Sequence, residues 1–284
     1  MRKFYSLCEK VISVDLPGLS EDFPLWKEYE VSGENALVAV SCQVGERLPS
    51  MEGGKMSAKG VRVTCEGDVV YRFTPMGTRE GALLRFSISD SSRADCFFTH
   101  ISYRTMTDDR YLWSSIGLGQ LLLPHRALLF HSSFIEYEGK GIIFTAESGV
   151  GKSTQAALWE KYMGAFVVNG DKSGVTVDEK GVYVHGVPFC GTSGICHKAR
   201  LPLGAIVLLE QSAENRAERL TGFEAVRGLM KNLLLDYLAP GETNRTVELL
   251  GELLSSVPVY RLRCTPDEGA VRALLQAMKR VDTN

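Results

Sequence analysis

The chain has no apolar run long enough to cross a membrane. Its longest apolar stretches, around residues 121–123 and 233–235, fall far short of the roughly 18 residues a span needs. No secretory signal is readable, because Glu9 and Lys10 interrupt the basic start before an apolar region forms. The expected location is therefore the cytoplasm, with no membrane partner. Charge of one sign is not in excess: 32 Lys and Arg face 34 Asp and Glu, for a net charge of −2. That balance excludes the broad basic face of a nucleic-acid binder, so any phosphate-binding charge must be local. Cysteine is sparse, with seven spread over positions 8, 42, 65, 96, 190, 196 and 264, unlike the dense, even set of a disulfide scaffold. They are expected to be reduced and partly buried. Cys190, Cys196 and His197 match no common zinc spacing and lack a fourth ligand. Internal repeats and low-complexity tracts are absent as well. What remains is an ordinary folded composition, 44% apolar and 23% charged over 284 residues, enough for one large domain or two smaller ones.

The first third reads as β-structure. Residues 36–40 form a continuous apolar run, residues 61–65 and 85–89 alternate as half-buried strands do, and Glu66-Gly67-Asp68 turns the first of these into a hairpin with residues 69–73. This part carries no catalytic constellation and is expected to be a scaffold, a docking module or a dimer contact. Thr107-Asp108-Asp109-Arg110 looks like a boundary and a helix start, with an apolar helix over 111–123 ended by Pro124. Two domains follow from that, 1–108 and 109–284. In the second, strands are expected at 127–137, 141–145, 165–168 and 205–209, with a hairpin of 175–177 on 182–184. Capping boxes at Thr221/Glu224 and Thr265/Glu268 begin two helices, whose core stripes are Val226, Leu229, Met230, Leu233, Leu234 and Val271, Leu274, Leu275, Met278. The small and polar loop at 186–194 fits either a cover for a substrate or an ordinary connection.

The second domain is organised around Ala146-Glu147-Ser148-Gly149-Val150-Gly151-Lys152-Ser153, which lies between an apolar strand and a helix-compatible run. Strand, glycine-rich turn and helix start together gather backbone N–H groups and the positive end of a helix dipole around one small volume, a nest for a phosphate chain. The spacing is that of the phosphate loop G-x-x-x-x-G-K-[ST], with Ala146 in place of the first glycine. Ser148, Gly149, Val150, Gly151, Lys152, Ser153 and Thr154 are the candidate nucleotide-binding residues. Lys152 would reach the β/γ-phosphates of ATP and the Ser153 hydroxyl would sit on Mg²⁺. Asp171, at the end of a short apolar strand, is the candidate second metal residue.

From His131 to Asp171 the chain resembles the catalytic core of HPr kinase/phosphorylase and, more distantly, ATP-dependent phosphoenolpyruvate carboxykinase. His131 lies fifteen residues before the loop's first position, Ser148–Ser153 match the loop, and residues 166–171 resemble a strand ending in an acidic pair. The A-I-V-L-L-E-Q and P-V-Y-R-L-R segments are similar to smaller HPr-kinase-like serine kinases, and the likeness covers roughly 110–284. The resemblance implies an α/β (α+β) phosphate-loop kinase core behind a β-rich N-terminal domain. It implies ATP and Mg²⁺ as cofactors and His131, Lys152 and Asp171 as catalytic residues. The implied acceptor is a serine hydroxyl on a peptide or small protein; a small-metabolite kinase and a nucleotide-binding regulatory module without turnover are the alternatives. The chain departs from the family at Ala146 and at Gly170, which stands where the first acid of the pair belongs. The oligomeric state is not readable.

Overall fold

The computed structural model describes residues 2–17, 23–33, 35–57, 60–76, 80–106 and 111–279. The expected helix start at 107–110 lies outside the described residues. The chain is mixed α/β with two large sheets and divides into two compact units. The first comprises the chain up to His125 together with Leu235–Arg245, and the second comprises Arg126–Leu234 with the chain from Thr246 onward.

In the first unit the strands are β1 (Arg2–Leu7), β2 (Lys10–Asp15), β3 (Val38–Gly45), β4 (Lys55–Met56), β5 (Arg62–Glu66), β6 (Val69–Met76), β7 (Glu80–Ser87) and β8 (Arg93–Thr99). They form one sheet in the order β1-β2-β3-β8-β7-β6-β5-β4. The β5–β6 hairpin pairs Glu66 with Val69 as the Glu-Gly-Asp turn predicts, while the β1–β2 hairpin ahead of residue 16 was not foreseen. After α1 (His100–Met106), the apolar segment 111–123 is not one helix. It breaks into α2 (Leu112–Ser115) and α3 (Leu118–Leu122) because Gly117 adopts φ 61°, outside the helical region. Trp113 of α2 stacks on Trp26 at 3.9 Å and meets Tyr5 edge-on at 5.7 Å. This burial ties the segment to the first unit, so the compact unit extends to His125 rather than stopping at the expected 108/109 border.

The second unit holds β9 (Ala127–Tyr137), β10 (Lys140–Thr145), α4 (Lys152–Met163), β11 (Phe166–Asn169), β12 (Lys172–Asp178), β13 (Gly181–Gly186), β14 (Arg200–Gln211), β15 (Arg216–Leu220) and α5 (Gly222–Met230). It continues through α6 (Glu242–Ser256, whose first residues belong to the first unit), β16 (Val259–Cys264) and α7 (Glu268–Lys279). Its sheet runs β10-β9-β12-β13-β14-β16-β15, and the long β14 pairs back onto β10, closing the path. β10, β14 and β16 are mutually parallel, so their carboxyl ends share one edge, where parallel sheets place ligands. Trp159 of α4, fully buried, packs with Phe144, Val207, Leu262, Val271 and Leu274 beneath that edge.

Two helix expectations need correction. At α5, Thr221 precedes the helix but makes no side-chain cap, and the helix ends at Met230, so Leu233 and Leu234 are buried or packed from the following turn instead of a helical stripe. At α7, Asp267 takes the capping role expected of Thr265, with its Oδ1 accepting the Gly269 N–H at 2.8 Å.

Candidate functional site

β10 is buried from Gly141 to its end and delivers the chain into the loop 146–151, after which α4 begins at Lys152. Gly149 and Gly151 have φ 83° and 119°, a region a side chain rarely adopts, which is why the turn takes glycine at both. Ala146 is buried and its methyl joins the core under α4, so the residue in place of the first glycine is a packing residue. The first intrahelical bond of α4 runs from Gln155 N–H to Gly151 O at 2.9 Å. The N–H groups of Lys152, Ser153 and Thr154 therefore carry no intrahelical partner. Ser148, Gly149, Ser153 and Thr154 are exposed around this helix head, with Val150 half-buried.

Lys152 is buried, and its Nζ donates to Ala146 O at 3.0 Å and Glu147 O at 3.1 Å. Burial draws its pKa down; the charge of Asp171 opposes this and that of Lys172 adds to it. A desolvated ammonium held by two weak neutral acceptors is ready for an anion.

Asp171 is held beside this loop by the turn that follows β11. The fully buried Asn169 accepts the N–H groups of Asp171 and Lys172, both at 2.9 Å, through Oδ1 and donates to Val187 O at 2.8 Å. Asp171 Oδ1 lies 3.3 Å from His131 Nε2, and Oδ2 accepts from Lys172 Nζ. Burial alone would raise the carboxyl, but the bonds from His131 and Lys172 outweigh it and bring the pKa to about 2. His131, on β9, is fixed by its backbone N–H to Asn232 O at 2.9 Å, and Thr145 Oγ1 donates to His131 O at 2.8 Å. The structure thus brings His131 and Asp171 together and sets Lys152 within electrostatic reach of both Asp171 and Lys172.

Gly170 has a steric cause. A Cβ there would lie 2.2 Å from Ser193 Oγ and 2.8 Å from Ser193 Cβ. The loop at 186–194 therefore stands against the Asn-Gly-Asp turn, and any side chain at 170 would require Ser193 to shift. That loop corrects the expectation of reduced cysteines: Cys190 and Cys196 form a disulfide, with Cα atoms 5.0 Å apart. Gly191 and Gly194 at φ 54° and 69° fold the intervening residues tightly enough for the ends to meet. Cys8, Cys42, Cys65, Cys96 and Cys264 are free. Lys172 was not singled out from sequence; its position immediately after an acid that ends a strand was the available signal.

A cavity of about 390 Å³ opens next to the loop, lined by Glu147 and Val150, by the end of β14, by α5 and by Arg261. Arg261 is shared among Glu210 at 3.0 Å, Glu218 at 2.9 Å and Glu224 at 4.0 Å. Among the described residues no cluster of three or more His, Cys, Asp or Glu could hold a metal by itself. Ser153 and Asp171 would suit Mg²⁺ only as a partial set completed by phosphate and water, the usual way Mg²⁺ is held. No helix of the described residues is long and apolar enough to cross a membrane.

No family model matches the chain, and no curated protein matches it. Among solved structures, the HPr(Ser) kinase/phosphatase from Coxiella burnetii is similar at 13% identity, with a TM-score of 0.31, over 55% of this chain and 94% of that one. The relationship is a distant structural one, and the chemistry of the site rests on its own geometry.

Proposed function

We propose that the second unit is a kinase core that binds ATP with Mg²⁺ at the loop 146–154 and phosphorylates a hydroxyl, in the favoured reading a serine on a peptide or small protein. The observation that carries this is the pairing of a buried lysine at an open helix head with an ionised aspartate that is bonded to a histidine. Bound ATP would supply the phosphoryl group, and Mg²⁺ would offset its charge. Lys152 and the N–H groups at the head of α4 hold the phosphates. Asp171, with a pKa of about 2, is a weak base but a permanent anion at neutral pH, suited with Ser153 to the metal and to orienting His131. With Nε2–H of His131 donated to Asp171, its Nδ1 is left with the lone pair that takes the proton of the acceptor hydroxyl.

The missing acid at 170 supports a second reading, a nucleotide-binding module without turnover. Incubation with Mg²⁺ and γ-labelled ATP, with and without a lysate of the host, separates the two. The kinase reading expects label on a peptide or protein, lost in Asp171→Asn while ATP binding persists. Binding without label transfer selects the module. ATP affinity that is equal in the parent and Lys152→Ala removes the loop assignment and both readings.

A further inference from the structure

Lys172 is the first residue of β12, opposite His131 in the register with β9. Its N–H is fixed on Asn169 Oδ1, its ammonium rests on Asp171 Oδ2, and its Nζ lies 5.0 Å from the ring centre of the buried Phe189. The side chain is only 19% exposed, which is low for a lysine with one carboxylate as its charged partner among the described residues. A strand-end lysine with a solvated role would turn outward. This one turns inward, to a site that also holds Lys152.

We propose that Lys172 is a second phosphate-binding lysine, parked on Asp171 until a nucleoside triphosphate fills the loop, when its ammonium moves to the terminal phosphate. The inference rests on the nucleotide reading of the loop. Two features of the site lead to it. First, Oδ1 of Asp171 meets His131 and Oδ2 carries the Lys172 ammonium, so a metal reaching this carboxylate is repelled by a cation already resting on it unless that cation moves. Lys172 is the one whose long, flexible stem lets it leave, because His131 is fixed by its strand. Second, with glycine at 170 in place of a second acid, Lys172 rests on the one carboxylate of Asp171 and Lys152 lies within electrostatic reach of both. That balance suits a polyanion with its metal better than a metal alone. Leaving Asp171 for a terminal phosphate exchanges one anionic partner for another, so the ammonium is never stranded in a low-dielectric site. Its repulsion of Lys152 is relieved in the same movement, since both cations then share one anion.

The terminal phosphate is what distinguishes ATP from ADP, and the test uses that difference on the full chain. Titration with ATP and with ADP, each with Mg²⁺, should show Lys172→Met weakening ATP by about tenfold and ADP by less than about twofold, with Lys172→Arg recovering most of the loss. A merely structural ion pair would shift both nucleotides together, and equal losses, or none, overturn the proposal while leaving the loop reading intact. A parent that binds neither nucleotide overturns the loop reading, and this inference falls with it. A measurement on the unaltered protein guards against a misfolded variant: Lys172 acylation by an amine-reactive reagent, read by mass spectrometry, should change on adding ATP and not ADP. The same extent of acylation with either nucleotide counts against the terminal-phosphate role.

Discussion

Burial lifts the Glu242 carboxyl from 4.5 to about 7, and the neighbouring charge of Asp236 pushes the same way. An acid whose pKa is higher folded than unfolded binds its proton more tightly in the folded state, so its contribution to stability is largest below about 4.5 and is lost as the pH rises through about 7. Glu242→Gln should therefore gain melting temperature relative to the parent on going from pH 5 to pH 8; parallel curves would refute the assignment. Asp171 has the opposite sign. Its depressed pKa of about 2 makes its contribution present above about 3.8 and lost as the pH falls towards 2. The stability gap between parent and Asp171→Asn should close across that window in acid titrations, and a gap that stays constant would show that His131 and Lys172 do not favour the charged form. Neither shift is readable from sequence, because each depends on residues distant in the chain or on how deeply the group is packed. Gly170 teaches the same lesson: as a sequence it is a missing acid, and only the approach of Ser193 shows what a larger residue would meet. The Cys190–Cys196 bond was hidden by counting cysteines over the whole chain when the two that pair lie six residues apart.

Among the elements, those with a strong local pattern were legible. β9 spans Ala127–Tyr137 as its apolar run and bounding turn imply, and β10, the loop and α4 follow in the expected order. α6 was not legible: its first turn, Glu242 to Arg245, is polar, and its apolar residues Leu249, Leu250 and Leu253 are buried by the tertiary fold. β15 escaped notice because an edge strand with Arg216, Glu218 and Arg219 lacks a continuous apolar signal. Gly141 shows how tightly the strands beside the loop are packed. A Cβ there would lie 2.9 Å from Phe134 Cε2 on the paired strand β9 and 2.2 Å from Val184 Cγ1 on β13, which does not pair with β10; both residues are buried. Gly141→Ala should cost about 1–3 kcal/mol by overpacking, seen as a lower denaturation midpoint at unchanged slope. A midpoint equal to that of the parent would mean that the space between Gly141, Phe134 and Val184 has room that the packing denies.

The whole molecule is threaded unusually for a two-unit chain: it leaves the first unit after His125, returns for Leu235–Arg245 and leaves again. That short return carries Asp236, which pairs with Arg72 at 2.7 Å and accepts from Gln120 at 3.1 Å, and Leu238 and Ala239, which pack on Val61, Val63 and Val70. Sequence reading placed one border and missed the return, because eleven residues that run from the turns after α5 into the first turn of α6 look like a connection until their partners are seen. A fragment 126–284 that keeps residues 235–245 would carry Asp236 without its guanidinium and two apolar side chains without their core. Exposed apolar surface of that kind favours association. The expected outcome is a fragment that aggregates on heating, whereas the same fragment with 235–245 replaced by a Gly/Ser segment of equal length, which spans the same ends, unfolds cooperatively. Coincident near- and far-ultraviolet dichroism transitions would report this, and ATP titration of the linker form would then ask whether the loop site is complete within the second unit. Equal solubility and melting temperature for the two fragments would show that the return segment needs no first-unit partners, and a folded linker form that binds ATP more weakly than the full chain would show that the site draws on residues outside 126–234 and 246–284.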